Sequence, residues 1–237
     1  MPISLKREIE LRSMVAVWLM SDGMFPEARQ LLREIEADAK NYKLEDSVRF
    51  AEINLATSHQ MEATLMYEEG AAGCDPVTKL LPEPARSQLE AAAGKFGDAY
   101  QAYTLIGSSF VTAEEIRLRQ RALEDIFLSW ADAYAILAKD ALCRGNEQMS
   151  RALATAKGDI RAADKGAITS GLATLDTAVR LCYSIIEVCD KAGAKGVQMD
   201  EASKTIPVQT IEMIRVTAAK WASDIGRQDL AQKYLKA

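Results

Sequence analysis

The residue types that catalyse reactions or hold metals are few and scattered in this sequence. The single histidine, His59, has Ala56 three residues before it, so the Glu-x-x-His motif of di-iron bundles is absent. A histidine-based zinc site and a Ser-His-Asp triad would both have to use this one residue. We therefore predict no catalytic role for His59 and no histidine-based metal site.

The other reactive side chains follow no catalytic or metal-binding spacing either. The four cysteines lack CxxC spacing and a neighbouring histidine, so we predict free thiols that pack as small apolar groups. Three acidic residues of the central helix, Glu124, Asp125 and Asp132, are more typical of a solvated helix face than of a metal site. A P-loop and a dinucleotide-binding glycine motif are also absent. The sequence predicts a protein that is not an enzyme, without catalytic, cofactor-binding or metal-binding residues.

Three arginines alternate early in the central helix, at Arg117, Arg119 and Arg121. Arg117 and Arg121 share one helix face at i and i+4, close to a helix N-terminus, which attracts anions. We therefore predict Arg117 and Arg121 as partner-binding residues for a phosphate or an acidic peptide. The alternative is pairing within the chain with nearby acidic residues, namely Glu114, Glu115 and Glu124.

Composition indicates an all-α protein. Of 237 residues 49% are hydrophobic, while glycine and proline number only 13 and 6, and alternating apolar and polar runs are absent. A net charge of −5, with both signs mixed, argues against a nucleic-acid partner. No apolar run is long enough for a membrane span and the first residues do not resemble a signal peptide, so we predict a cytoplasmic protein.

Two long helices dominate the predicted architecture, at about 112–143 and 167–191. The first begins with a Thr112–Glu115 capping box, and we expect it to end at Gly145. The second carries a coiled-coil-like apolar heptad over 168–189. We expect this heptad to pack on the apolar stripe of the first helix over 123–141. A homo-oligomer formed through 168–189 is the alternative.

Shorter helices are predicted on either side of these two. Their predicted ranges are 4–21, 26–40, 45–69, 85–93, 96–106, 147–163 and two more from Thr205 onward, separated at Gly226. The three tryptophans, Trp18, Trp130 and Trp221, all lie on apolar stripes and are predicted to be core residues. We predict a single all-α domain over 1–237, with a subdivision into 1–73 and 85–237 joined by the proline-containing segment 74–84 as the alternative.

One local pattern recurs at four glycines that we predict to lie in turns between helices. It reads G-x-F-x-E-A from Gly23 and G-x-F-x-D-A from Gly94, with looser copies from Gly145 and Gly226. At these residues the chain resembles tetratricopeptide helical hairpins, and the resemblance implies an antiparallel helical-hairpin array, either an α-solenoid or a helical bundle.

The chain also departs from that family. The glycines are 71, 51 and 81 residues apart, whereas the repeat has about 34 residues. The asparagines by which the family clamps a peptide carboxylate are replaced, because those places hold Val17, Gln88, Lys139 and Lys220. We therefore do not expect the carboxylate-clamp activity of the family.

The sequence thus favours a non-catalytic protein–protein interaction module, which would serve as an adaptor, a scaffold or an assembly subunit of a larger complex. Stacked helical hairpins would present a groove to a protein partner. One alternative is a secretion or assembly chaperone. Another is a helical small-ligand-binding protein or enzyme, which would need convergent polar groups in a buried pocket.

Overall fold

The computed structural model describes residues 3–78, 80–160 and 162–236. The predicted all-α fold is confirmed, because the regular elements of these residues are eight α-helices and one short 3-10 turn. The helices are α1 (Ile3–Ser21), α2 (Phe25–Asn41), α3 (Glu45–Ala72), α4 (Glu83–Leu105), α5 (Ala113–Thr155), α6 (Lys165–Ala194), α7 (Glu201–Asp224) and α8 (Gln228–Lys236). Among them, no helix combines the length and the apolar character that crossing a membrane requires.

A first compact unit comprises residues 1–68 and 91–130. Its α1 and α2 form a helical hairpin at Gly23, which adopts a φ of +77° that few other residues tolerate. Pro26 occupies the first turn of α2, where its missing N–H leaves no helical hydrogen bond unmade. The hairpin core consists of buried apolar side chains from α1, α2 and α3, namely Ile9, Ala16, Met20, Ala28, Leu32, Ile35 and Ala51.

A second compact unit comprises residues 69–90 and 131–237. The apolar heptad of α6 is buried here by the chain's own helices, including Ala138 and Ala141 of the predicted partner stripe and Ile211 of α7. Five side chains of the heptad are buried and two, Val179 and Ile186, are partly buried. Oligomerisation through 168–189 stays a prediction. The main core of the unit includes Ala141, Met149, Ala152, Ile168, Leu172, Leu175, Ile214, Ala218, Ala222 and Tyr234.

Two of the predicted helix ends are wrong, because Gly94 and Gly145 lie inside helices rather than in turns. The segments 85–93 and 96–106 form the single helix α4, and α5 continues to Thr155. A glycine within a helix costs only about 1 kcal/mol relative to alanine, which tertiary contacts can offset. The turns predicted at Gly23 and Gly226 are present, with φ of +77° and +78°.

The helix predicted over 147–163 is also wrong, since α5 holds its first half and ends before a turn at Lys157 and Gly158, both with positive φ. The predicted irregular segment between α3 and α4 is present, and it lies in the second unit. Lys79 of that segment and Arg161 of the predicted helix lie outside the described residues. Whether the chain forms one domain or divides at 74–84 stays a prediction.

Helix α7 begins earlier than predicted. Its cap is Asp200, whose side chain accepts the Ser203 backbone N–H at 2.6 Å, and Pro207 lies inside the helix. Pro207 has no N–H to donate to the Ser203 carbonyl one turn before it. The thiol of Cys189 on α6 donates to that carbonyl instead, at 3.6 Å. This contact gives the Ser203 carbonyl a partner in place of the missing N–H of Pro207.

Candidate interaction surface

Helix α1 has two apolar faces. The inner face, with Ile9, Ala16 and Met20, is buried in the hairpin core. The opposite face carries four exposed apolar side chains, which we call the outer stripe: Leu11, Met14, Val15 and Trp18. Leu11 and Trp18 each follow a buried residue by two positions, which is about 200° around a helix, so the two faces point in opposite directions.

The most exposed tryptophan contradicts its predicted place in the core. Trp18 is 65% exposed, whereas Trp130 is buried as predicted and Trp221 is partly buried against the core of the second unit. The apolar pattern of α1 spans both faces of the helix, and a single neighbouring layer covers only one of them. Trp18 belongs to the face that remains in solvent.

A groove of about 650 Å³ runs along α1 beside the outer stripe, and its other wall is the first turns of α3. Its apolar lining comes mainly from Met14, Val17, Trp18 and Phe50, and its polar lining from Lys6, Glu10, Ser13, Asp46 and Ser47. Met14 and Trp18 belong to both the outer stripe and the groove. Groove and stripe together form one continuous, mostly apolar surface on the first unit.

The structure places Arg117 and Arg121 on the exposed surface of α5. Within the described residues neither makes an ion pair, so the alternative of pairing inside the chain is not observed. Arg119 is used internally: its Nε donates to the Tyr103 carbonyl at 3.1 Å and its guanidinium lies 5.9 Å from the Phe110 ring centroid. Partner binding by Arg117 and Arg121 stays a prediction.

A partly buried charged cluster in the first unit joins α2, α3 and α4. Glu62 lies 2.9 Å from a guanidinium nitrogen of Arg29 and 3.1 Å from the ammonium of Lys95. Burial alone would raise the pKa of Glu62, but hydrogen bonds from Lys95 and Arg29 bring it below its ordinary value. Because each charge faces an opposite one, the cluster reads as a structural network that fixes three helices.

His59 lies one turn before Glu62 on the same helix. Burial lowers the pKa of His59, and the nearby positive charge of Arg29 lowers it further. Its buried Nδ1 has no hydrogen-bond partner among the described residues. The absence of a catalytic role for His59 stays a prediction.

A second buried charge, Asp140, fixes the irregular segment onto α5 within the second unit. Its carboxylate accepts the Leu81 backbone N–H at 2.8 Å, Nε of Arg86 at 3.2 Å and Nε of Arg144 at 2.9 Å. Arg144 also donates to the Leu81 carbonyl. All of these groups are paired with one another, so we interpret this cluster as structural.

Comparisons with known proteins supply no function for any of these features. The chain matches no protein-family model, no curated protein and no solved structure. Among the described residues, no group of three or more histidine, cysteine, aspartate or glutamate side chains is placed to hold a metal ion. The exposed surface of α1 lies outside both charged clusters and carries four exposed apolar side chains.

The sequence contained part of the signal for this surface. Leu11, Met14 and Trp18 widen the apolar face of α1, and a broad apolar face is typical of a helix that packs on more than one neighbour. In the structure, α2 and α3 cover only the inner face of α1. Sequence periodicity could not reveal which residues would stay uncovered, because that depends on how α2 and α3 pack against α1.

Proposed function

We propose that this protein is a non-catalytic protein–protein interaction module, whose outer stripe packs on an amphipathic helix of another polypeptide chain. The observation that carries the proposal is the exposure of four large apolar side chains at i, i+3, i+4 and i+7 of α1. This spacing is the one by which a helix presents a single face to a partner helix. An adaptor, a scaffold and an assembly subunit all use such a surface.

The energetics favour Trp18 as the main anchor. Tryptophan is among the residues that contribute most to protein interfaces, and its truncation at a buried centre costs about 2 kcal/mol or more. Leu11 and Met14 are 56% and 55% exposed, so their complete burial by a partner would each contribute about 1–1.5 kcal/mol, roughly half of the value for a fully exposed side chain. The groove beside the stripe gives the partner helix a concave wall on the α3 side.

The cytoplasmic location belongs to the same proposal. All four cysteines are free thiols, and free thiols are usual in the reducing cytosol. The secretion or assembly chaperone alternative uses the same surface, since a chaperone would also cover a partner helix. In each of the two charged clusters the charged groups pair with opposite charges of the same cluster, so neither cluster lends support to the enzyme alternative.

Position-specific photo-crosslinking in cells that produce the protein tests the proposal. Trp18 is replaced by p-benzoylphenylalanine, and the control carries the same group at Leu105, which is an exposed apolar residue of α4. We expect irradiation to give a covalent adduct with a polypeptide from position 18 only. A second substitution, Leu11→Asp, should abolish that adduct because it places a charge in the apolar contact.

Mass spectrometry of the adduct then identifies the crosslinked chain. An adduct that forms equally from both positions, or that survives Leu11→Asp, would show that the surface does not bind specifically. Absence of any adduct from position 18 would overturn the proposed function.

A further inference from the structure

Opposite charges stand at the two ends of the outer stripe. Arg7 precedes Leu11 by four residues and Asp22 follows Trp18 by four residues, so both continue the same helix face. Asp22 still occupies a helical position, because its backbone N–H donates to the Trp18 carbonyl at 2.9 Å. Both residues are exposed, and in the described part of the chain neither makes an ion pair.

We propose that the helix covering the outer stripe is α1 of a second copy of this chain, packed antiparallel. This inference rests on the proposed function and names its occupant. The apolar stripe is symmetric about its centre, with Met14 and Val15 in the middle and one large side chain, Leu11 or Trp18, on each side. A surface that is symmetric in this way is self-complementary, as a two-fold interface requires.

Charge decides the direction of packing. In an antiparallel pair centred between Met14 and Val15, Leu11 of each copy lies opposite Trp18 of the other. The same register brings Arg7 opposite Asp22 of the second copy, and the two-fold axis repeats this pairing at the other end. A parallel pair in register would instead oppose Arg7 to Arg7 and Asp22 to Asp22, and like charges repel each other.

The contact between the two helix faces is small, and small interfaces are typical of weak association. The outer stripe and its two flanking charges, from Arg7 to Asp22, span about 22 Å, at about 1.5 Å per residue. Two helix faces of this length, with side contacts from the groove wall on α3, form an interface at the small end of the range for specific complexes. We therefore expect a reversible dimer with a dissociation constant on the order of 10 µM. A two-fold interface closes at two copies, so larger assemblies are not expected.

Sedimentation velocity of the full-length protein tests the inference by charge reversal. From about 1 µM to about 100 µM, which brackets the expected dissociation constant, the protein should shift from its 26.0 kDa monomer to a species of twice that mass. Arg7→Asp and Asp22→Arg should each weaken the dimer about tenfold or more, because each replaces two ion pairs by two repulsive pairs.

An equimolar mixture of the two variants provides the decisive measurement. In the mixed dimer each end again opposes an acid to a base, so the mixture should dimerise about as tightly as the unsubstituted protein. Arg33→Asp on the exposed surface of α2 is the matched control for Arg7→Asp, since it changes the net charge by the same amount and should leave the dimer unchanged. Circular dichroism confirms that each variant remains helical.

Two results would overturn the inference. One is a protein that stays monomeric over the whole concentration range; the other is a dimer that Arg7→Asp and Asp22→Arg leave intact or that their mixture fails to restore. Neither result affects the proposed function, which the crosslink from position 18 tests separately. An adduct with a different polypeptide from a monomeric protein would support the interaction module and exclude a second copy as its occupant.

Discussion

Glycines inside two of the helices have opposite surroundings. A Cβ on Gly145 would lie 2.8 Å from Cδ2 of Leu175 and 3.0 Å from the Gly171 carbonyl oxygen, distances too short for ordinary contacts. A Cβ on Gly94 would meet nothing within 4 Å. The missing side chain therefore lets α5 and α6 approach each other at Gly145. At Gly94 no neighbour requires a glycine, and the residue only makes the helix less stable than alanine would.

Alanine substitutions at these glycines should change stability in opposite directions. Gly145→Ala should lower the free energy of unfolding by about 1–3 kcal/mol, because the added methyl group overpacks a buried contact with Leu175. Gly94→Ala should raise it by up to about 1 kcal/mol, since alanine is the better helix former. Urea unfolding followed by circular dichroism measures both. If Gly145→Ala stabilised the protein as well, the close approach of α5 and α6 would be wrong.

At the scale of residues, the sequence could predict features that depend only on residues nearby in the chain. The Thr112–Glu115 capping box is confirmed, because the side chain of each residue accepts the backbone N–H of the other. Both residues lie within one turn of the chain, so the sequence was enough to predict them. The role of Gly145 depends on Gly171 and Leu175 of another helix, so its likeness to a turn glycine was misleading. The same limit hid the outer stripe, because its exposure depends on which neighbours cover α1.

At the scale of helices, the start of α5 is held by a carboxylate. Glu115 accepts the backbone N–H groups of Thr112 at 2.9 Å and of Val111 at 3.1 Å, and the Thr112 hydroxyl accepts the N–H of Glu115 at 3.1 Å. The first two hydrogen bonds, that of Thr112 before that of Val111, lower the pKa of Glu115. They favour the charged carboxylate over the protonated acid.

This lowered pKa makes the start of α5 sensitive to acid. A carboxylate whose folded-state pKa lies below its unfolded value stabilises the fold above the unfolded pKa, about 4.3 for glutamate, and loses that contribution as pH falls through the folded-state value. We expect the protection factors of the Val111 and Thr112 amides, which compare the exchange rate with the intrinsic rate at the same pH, to fall over that acidic range, as measured by NMR. Glu115→Gln keeps the cap without the charge, so its protection factors there should not change with pH. An equal loss of protection in both proteins would contradict the prediction.

Helical periodicity alone does not distinguish an internal partner from an external one. The heptad pattern of α6 allowed either the chain's own long helix or a second chain as its partner, and Leu172, Leu175 and Cys182 are buried by the chain's own helices. The outer stripe of α1 is shorter and less regular, yet it is the one left in solvent. Both stripes need a covering layer because both are apolar. Only the packed structure shows that the chain itself covers the stripe of α6 and leaves the outer stripe of α1 exposed.

At the scale of the whole molecule, composition was enough to predict the all-α class. The grouping of helices was not predictable, because the compact units are not contiguous in sequence: residues 91–130 belong with 1–68, and 69–90 with 131–237. Three long helices, α3, α4 and α5, contribute residues to both units. Sequence patterns indicate unit boundaries at loops and prolines. These unit boundaries fall inside helices, where the sequence has no such signal.

Pairing through α1 should make the stability of the whole molecule depend on its concentration. A second copy that binds only the folded chain stabilises it by mass action. For a chain of this size we expect the Tm to rise by about 1–2 °C for each tenfold increase in concentration above the dissociation constant. Trp18→Ala should abolish that rise, yet match the unsubstituted protein at low concentration, because Trp18 lies outside the monomer core. Leu105→Ala changes another exposed apolar residue and should keep the rise of the Tm with concentration. A Tm that does not depend on concentration in the unsubstituted protein would contradict pairing through the outer stripe.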